Sequence, residues 1–166
     1  MGFVLFPGYD IIKAQQENKK KGRLPMLFRN CAGGVVFNKD KVLILKNHKD
    51  EWVLPKGVIR NGSISVETAK ARVKKEAGVE AEVISPAGET SYEFFSISRQ
   101  KPVCNRITWF IMDTEDDKAN VDKDEGFIMG GFFSIDEAIE KITYSQDKSL
   151  VSLSYKKYKR LCSECV

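Results

Sequence analysis

Histidine is almost absent from this chain: the 166 residues include one, His48. A lone histidine with no serine or cysteine motif beside it does not predict a hydrolytic triad, and we expect His48 in a surface loop. Cysteine is also sparse, and the four cysteines lack the spacing of a disulfide framework. The Cys162–Cys165 pair has no second ligand pair with which to bind zinc. These shortages favour a reduced, cytoplasmic protein.

Long apolar runs are missing as well. No stretch approaches the ~20 residues that a membrane-spanning helix needs, and the opening MGFVLFPGYD lacks the basic start of a signal peptide. We therefore expect a cytoplasmic location and no membrane partner. The net charge of +4 is mild, which favours anionic ligands without requiring nucleic acid.

The length and composition are those of one globular domain. Hydrophobic residues make up 42% and charged residues 30% of the chain, as in ordinary soluble proteins, and the length allows a sizeable core. Residues 1–28, with the basic run QQENKKKGR, read as an N-terminal extension. Residues 29–166 read as a single domain that includes a C-terminal helix.

Short β-branched and apolar runs predict most of this domain as strands. The first two, CAGGVVF (31–37) and KVLILK (41–46), form a predicted hairpin around Asn38-Lys39-Asp40. The other predicted strands are EWVL (51–54), EAEVIS (80–85), TSYEFFSI (90–97), NRITWFIMD (105–113) and GFIMGGFFS (126–134).

Three segments predict helices. The first runs from about Ser65 to Ala77 and ends at Gly78, with an apolar stripe that should pack on a sheet: Val66, Ala69, Val73 and Ala77. A capping box formed by Ser134 and Glu137 predicts a short second helix through Ile142. The third is expected from about Ser145 to Leu161. Strands, a helix, more strands and terminal helices indicate an α+β fold with a mixed sheet.

The segment from Gly57 to Val79, GVIRNGSISVETAKARVKKEAGV, resembles the signature of the Nudix family, G-x5-E-x7-R-E-U-x-E-E-x-G-U, in which U is aliphatic. The preceding Leu54-Pro55-Lys56-Gly57 is similar to the entry of the subgroup that acts on dinucleoside polyphosphates and diphosphoinositol phosphates. The resemblance extends over roughly residues 29–145. It implies a Nudix-like α/β/α sandwich with a mixed β-sheet.

Four of the five charged signature positions hold other residues here. Ser63 stands at the first glutamate, Ala71 at the arginine, and Arg72 and Lys75 at two helical glutamates, while Glu76 is retained. In active members of the family these glutamates hold Mg²⁺ or Mn²⁺. Positions 72, 75 and 76 share one helix face, where three carboxylates would suit a hard cation but two cations would repel it. Arg72 can instead pair with Glu76, one turn later.

The charge reversal leads to the main hypothesis, a module that binds a phosphorylated, nucleotide-like small molecule and whose metal-dependent pyrophosphate hydrolysis is lost or much weakened. Cations can contact phosphate oxygens directly. The predicted phosphate contacts are Lys56, Gly57, Arg60, Arg72 and Lys75, although lysine and arginine on a helix are as often solvated surface. Trp52 and Tyr92 are candidates for stacking on a base, although strand aromatics more often belong to the core. No cofactor is expected under this hypothesis.

The first alternative is an active Nudix pyrophosphohydrolase acting on nucleoside-diphosphate-linked or dinucleoside polyphosphate substrates. Its catalytic residues would be Glu76 and the loop acid Glu125, and its Mg²⁺ or Mn²⁺ would be held by Glu76 and Glu67. Glu67 has a competing structural role, because an acid in the first helical turn complements the helix dipole. Asp122 and Asp124 compete equally with Glu125.

The second alternative is an RNA or protein interaction domain that uses the basic C-terminal helix, which ends in SYKKYKR. No RNA-binding motif accompanies this helix, so nucleic acid is not an expected partner. The expected partner is a phosphorylated small molecule, and the sequence does not predict an oligomeric state.

Overall fold

The structure is a computed structural model that describes residues 25–164. Within this range seven strands form one mixed sheet whose main order is β3-β2-β1-β6-β5, with β4 paired to β1 and β7 paired to β2. The β1–β6 pair is parallel and the other pairs are antiparallel. The strands are β1 (Leu27–Asn38), β2 (Lys41–Asn47), β3 (Trp52–Val53), β4 (Lys56–Val58), β5 (Glu82–Ser96), β6 (Lys101–Asp113) and β7 (Phe127–Ser134).

The described residues also form three α-helices and a short 3-10 helix. The helices are α1 (Ser65–Ala77), α2 (Ile135–Lys141) and α3 (Ser145–Glu164), and the 3-10 helix is Lys123–Glu125. One core lies between the sheet and α1, and a second lies between the other face of the sheet and the pair α2 and α3. This confirms the α+β sandwich with a mixed sheet.

The helix predicted at residues 65–77 is confirmed as α1, and local chemistry explains its ends and its docking. Ala69, Val73 and Ala77 are fully buried against the sheet, so the predicted stripe is the packed face. Gly78 ends the helix with a φ of 65°, a left-handed conformation that glycine adopts without a steric penalty. Glu76 lies beside this stripe and is buried too.

The predicted hairpin is confirmed between β1 and β2, where Asn38 pairs with Lys41. The predicted capping of α2 is confirmed by a hydrogen bond from the Glu137 amide to Ser134 Oγ at 3.3 Å. The prediction of two separate strands at 80–85 and 90–97 is wrong in one respect. The two segments form the single strand β5, which has register shifts around Pro86. Proline is accepted there because β5 is an edge strand and the pairing is bulged.

The domain boundary predicted between residues 28 and 29 stays a prediction, since residues 1–24 lie outside the described range. Cys165 also lies outside this range. β1 begins at Leu27. Among the helices that the structure describes, none is long and apolar enough to cross a membrane.

Candidate functional site

Glu76 is the retained acidic residue of the signature helix, and its carboxylate is buried with an exposed fraction of 4%. One oxygen, Oε2, accepts a hydrogen bond from the backbone amide of Lys56 at 3.0 Å. The other, Oε1, accepts from Arg72 Nη2 at 3.1 Å. The predicted Arg72–Glu76 pair is therefore present, with Glu76 buried and Arg72 partly exposed.

Arg72 also reaches a second carboxylate, Glu125, which lies in the 3-10 helix 53 residues further along the chain. Its Nη2 donates to Glu125 Oε2 at 2.7 Å. A single guanidinium nitrogen therefore joins Glu76 to Glu125. We call these three side chains the Arg72 bridge. Charge-assisted hydrogen bonds of this kind are the stronger ones in proteins.

The Arg72 bridge depends on a glycine in the neighbouring strand β4. A Cβ atom placed on Gly57 would lie 2.5 Å from Arg72 Nε and 2.6 Å from its Cδ, so close that Arg72 would have to shift to make room for any side chain. Nε itself is buried and has no hydrogen-bond partner among the described residues. Gly57 therefore gives the Arg72 side chain the space in which it lies.

Burial has a strong effect on the protonation of Glu76. Loss of solvent raises the pKa of Glu76 from 4.5 to about 7, and the opposing effects of Arg72 and the Lys56 amide only limit the rise. Burial disfavours the charged carboxylate and therefore favours the protonated, neutral form of Glu76. Glu76 therefore titrates near neutral pH.

The residues around Glu76 do not fit the divalent metal that the family resemblance implies. Mg²⁺ is bound through several oxygen ligands, and within residues 25–163 no three His, Cys, Asp or Glu side chains are grouped so that they could hold a metal. The two carboxylates that do approach one another, Glu76 and Glu125, both accept from Arg72. A metal between them would face a guanidinium at close range.

The other charged candidates on α1 lie further out. Lys75 is exposed and pairs with Asp122 Oδ2 at 3.2 Å, at the edge of a pocket of about 380 Å³ beside the end of the helix. Arg60 is exposed in the loop before α1, and Glu67 is exposed in its first turn. His48 is exposed in the turn between β2 and β3, as the sequence predicted.

Lys56 connects this region to a second polar cluster on the other face of the sheet. Its Nζ lies over the ring of Tyr92, 4.9 Å from the centroid. The Tyr92 hydroxyl oxygen accepts from Asn105 Nδ2 at 2.7 Å, and Asn105 Oδ1 accepts from Arg29 Nε at 2.9 Å. The Arg29 guanidinium in turn lies 5.7 Å from the ring centroid of Phe94.

Sequence reasoning did not single out Arg29 and Asn105, which the structure brings together in this cluster. They lie opposite each other because β1 and β6 pair in parallel, with Arg29 in register with Asn105. The one available signal was a polar residue on the face of the strand that otherwise carries Val103, Ile107 and Trp109. Asn105 is indeed buried, with an exposed fraction of 3%.

The two predicted stacking residues lie in different surroundings. Trp52 packs edge-on against Phe133, and the ammonium groups of Lys46 and Lys141 lie 5.9 and 5.4 Å from its ring centroid. Tyr92 is part of the Lys56–Asn105 cluster. On α3, Lys159 pairs with Asp40 at 3.0 Å, so part of the basic charge of this helix is engaged within the chain.

A mixed sheet between helices, with a glutamate of the signature helix buried against the Lys56 strand, defines a Nudix-type domain. The model of the NUDIX domain matches residues 27–153, which is more than half of the chain. The chain belongs to the Nudix family.

Solved structures agree with this fold at low sequence identity. A Nudix hydrolase from Nitrosomonas europaea has a TM-score of 0.63 and 14% identity, with 95% of this chain and 88% of that one covered. An Ap4A hydrolase from C. elegans has a TM-score of 0.60 and 16% identity, with 80% and 98% covered. The E. coli dihydroneopterin triphosphate pyrophosphohydrolase has a TM-score of 0.62 and 15% identity, with 75% and 94% covered.

Proposed function

We propose that this protein binds a phosphorylated, nucleotide-like small molecule without a metal, and that metal-dependent pyrophosphate hydrolysis has been lost or much weakened. The Arg72 bridge is the observation that carries this proposal. In it a side chain of the protein supplies the positive charge between two carboxylates. Such a charge is fixed in place and is always present, because arginine stays protonated.

The ligand class follows from the cations and from the relatives. Lys56 reaches from the strand beside Glu76 to the Tyr92 ring, and lysine is a common phosphate contact in proteins. The similar structures are named for acting on Ap4A, on ADP-ribose and on dihydroneopterin triphosphate. All three compounds carry linked phosphates, and we propose the same chemistry for the ligand here.

Our proposal divides different tasks among the five residues that the sequence predicts as phosphate contacts. In the proposal Lys56 contacts the ligand, whereas Arg72 and Gly57 maintain the bridge that replaces the metal. Lys75 and Arg60, both exposed, supply positive potential at the rim, where charges mainly affect the rate of association.

One observation favours a working hydrolase as the second candidate. The pKa of Glu76 is raised to about 7, and a group that titrates near neutral pH suits general acid–base catalysis. In this candidate Glu125 would have to leave Arg72 before the two acids could act together. The first experiment therefore measures binding and turnover side by side.

That experiment is thermal unfolding in the presence of Ap4A, ADP-ribose, nucleotide sugars and inositol phosphates, each with Mg²⁺ and with EDTA. A ligand at ~100 times its Kd should stabilise the protein by about 2.7 kcal/mol. We expect at least one compound to raise Tm equally in both conditions. Release of phosphate products from the same compounds should stay at the level of the buffer.

The matched control is Glu76→Gln, which keeps the size of the side chain and removes its charge. We expect Glu76→Gln to bind the same compound, also in EDTA. Turnover that requires Mg²⁺ or Mn²⁺ and disappears in Glu76→Gln would contradict the proposal and support the hydrolase.

A further inference from the structure

Two cations at one end of the sheet are held by aromatic rings instead of carboxylates. Arg29 lies over Phe94 and Lys56 lies over Tyr92, and among residues 25–163 neither forms a salt bridge with an acidic side chain. An aromatic ring orients a cation without using its N–H groups. Their hydrogen-bonding capacity is therefore left for another partner.

Asn105 fixes which atoms of this cluster donate. The arginine Nε–H can only donate, so the Asn105 atom that faces Arg29 at 2.9 Å must be the amide oxygen. The amide NH₂ group must then face Tyr92, and it donates to the phenolic oxygen at 2.7 Å. The reversed amide would set two donors against each other, which the buried position of Asn105 does not tolerate.

This arrangement leaves the hydroxyl hydrogen of Tyr92 without an acceptor among the described residues. Because the Tyr92 oxygen accepts from Asn105, its own hydrogen is free to donate to a further group. Among the described residues Arg29 donates only through Nε, which leaves both Nη groups. Arg29, Tyr92 and Lys56 thus each have a donor group without a hydrogen-bond partner among the described residues. We call these three side chains the donor cradle.

Two acidic groups act on the charge of Lys56, Glu76 on α1 and Asp147 on α3. Asp147 is buried near the start of α3, where burial raises the pKa of its carboxyl and the charge of Lys56 opposes the rise. Asp147 therefore balances part of the Lys56 charge from inside the protein. Arg29, in contrast, forms no salt bridge with an acidic side chain among residues 25–163.

We propose that the donor cradle binds the phosphate groups of the ligand, and that Asn105 is a positioning residue that fixes its donors. An ionised phosphate offers only acceptor oxygens, so it matches the donors of the cradle that have no other partner among the described residues. This inference deepens the proposed function and rests on it. It also gives Tyr92 a role through its hydroxyl group, and not through stacking on a base.

The probe is inorganic tripolyphosphate, which carries phosphates and no base, titrated by calorimetry in EDTA. Tyr92→Phe keeps the ring and its contact with Lys56 and deletes only the hydroxyl group. We expect it to weaken binding roughly tenfold, the effect of losing a hydrogen bond to a charged group. Tyr155→Phe is the matched control, because the Tyr155 hydroxyl donates to Asp40 in the turn between β1 and β2, and neither residue belongs to the donor cradle. Its affinity should equal that of the wild type.

Asn105→Asp tests the positioning role at almost constant shape. An aspartate at position 105 still accepts from Arg29 but also takes the hydrogen of the Tyr92 hydroxyl, and it adds a negative charge beside the phosphates. We expect affinity to fall by roughly a hundredfold or more while Tm stays at or above the wild-type value. If Asn105 had only a structural role, Asn105→Asp would lower Tm, and Tyr92→Phe would bind tripolyphosphate as tightly as the wild type.

The outcomes separate this inference from the proposed function. Wild-type protein that binds none of the phosphorylated compounds in EDTA contradicts both. Wild-type protein that binds nucleotides but not tripolyphosphate, or a Tyr92→Phe variant with undiminished affinity, overturns the donor cradle alone. Binding of unphosphorylated adenosine that survives Tyr92→Phe would indicate stacking and would overturn it too.

Discussion

The Arg72 bridge and the donor cradle place an arginine in opposite circumstances within the same fold. Arg72 has Glu76 and Glu125 as partners through one nitrogen, so its charge is neutralised inside the protein. Arg29 has a neutral amide and an aromatic ring, so its charge is oriented but not neutralised. The residue type is the same, and the neighbouring side chains decide whether its charge is paired inside the protein or, as we propose for Arg29, remains available to a ligand.

These two arrangements explain how a Nudix domain can keep its fold although α1 carries Arg72 and Lys75 where the signature has glutamates. Glu76 needs a cation because it is buried, and an unpaired buried charge is strongly destabilising. Arg72 supplies that cation from the same helix. In our proposal phosphate recognition belongs to groups outside the helix. Lys56 touches both regions, through its amide at Glu76 and its ammonium at Tyr92.

The largest predicted effect is that of breaking the Arg72 bridge. Arg72→Ala should lower the free energy of unfolding at pH 8 by about 3–5 kcal/mol, because it leaves Glu76 buried without its cation. Urea unfolding measures this value. The double variant Arg72→Ala with Glu76→Gln should recover much of the loss, as expected for coupled residues.

Lys75→Ala is the control for that prediction, since it removes a cation of the same helix from an exposed pair with Asp122. Exposed pairs contribute about 0–1 kcal/mol, so the cost should be small. Equal costs for Arg72→Ala and Lys75→Ala would mean that Arg72 behaves as ordinary surface charge.

The second effect concerns pH. The pKa of Glu76 rises from 4.5 to about 7 on folding, so between these values the folded state binds more protons than the unfolded state. The free energy of unfolding should therefore decrease as pH rises from about 4.5 to about 7, by up to about 3 kcal/mol from this group. Glu76→Gln should remove that decrease.

Urea titrations at a series of pH values test this prediction. Glu67→Gln, which removes an exposed carboxylate from the first turn of the same helix, should keep the pH dependence of the wild type. If Glu76→Gln kept it as well, Glu76 would not be the group that titrates near neutral pH.

The smallest of the three effects comes from the space beside Arg72. Gly57→Ala places a Cβ 2.5 Å from Arg72 Nε, and we expect a loss of about 1–3 kcal/mol in the free energy of unfolding from overpacking. Gly131→Ala is the matched control, because its Cβ would meet only Phe133 at 3.8 Å, an ordinary contact. Similar stability of the two variants would show that Arg72 can move aside without cost.

The predicted helices were confirmed where the signals are local. The α1 prediction rests on a stripe of apolar residues and on Gly78, which all act within a few residues of each other. Merging of two predicted strands into β5 was not foreseen, because Pro86 usually marks the end of a strand. Only its position at the sheet edge makes it acceptable inside one.

The amino-acid sequence by itself indicated the family and its sandwich through the resemblance of residues 57–79 to the Nudix signature, the α+β fold class through the periodicity of its segments, and the positive charge on α1 through its residue types. Only the tertiary structure decided what the charged groups do. Glu125 comes to Arg72 from 53 residues away, and Arg29 comes to Asn105 from 76 residues away. The physical reason is that burial and long-range partners, which set whether a charge is neutralised or left facing outward, depend on strand register and helix packing that no single segment encodes.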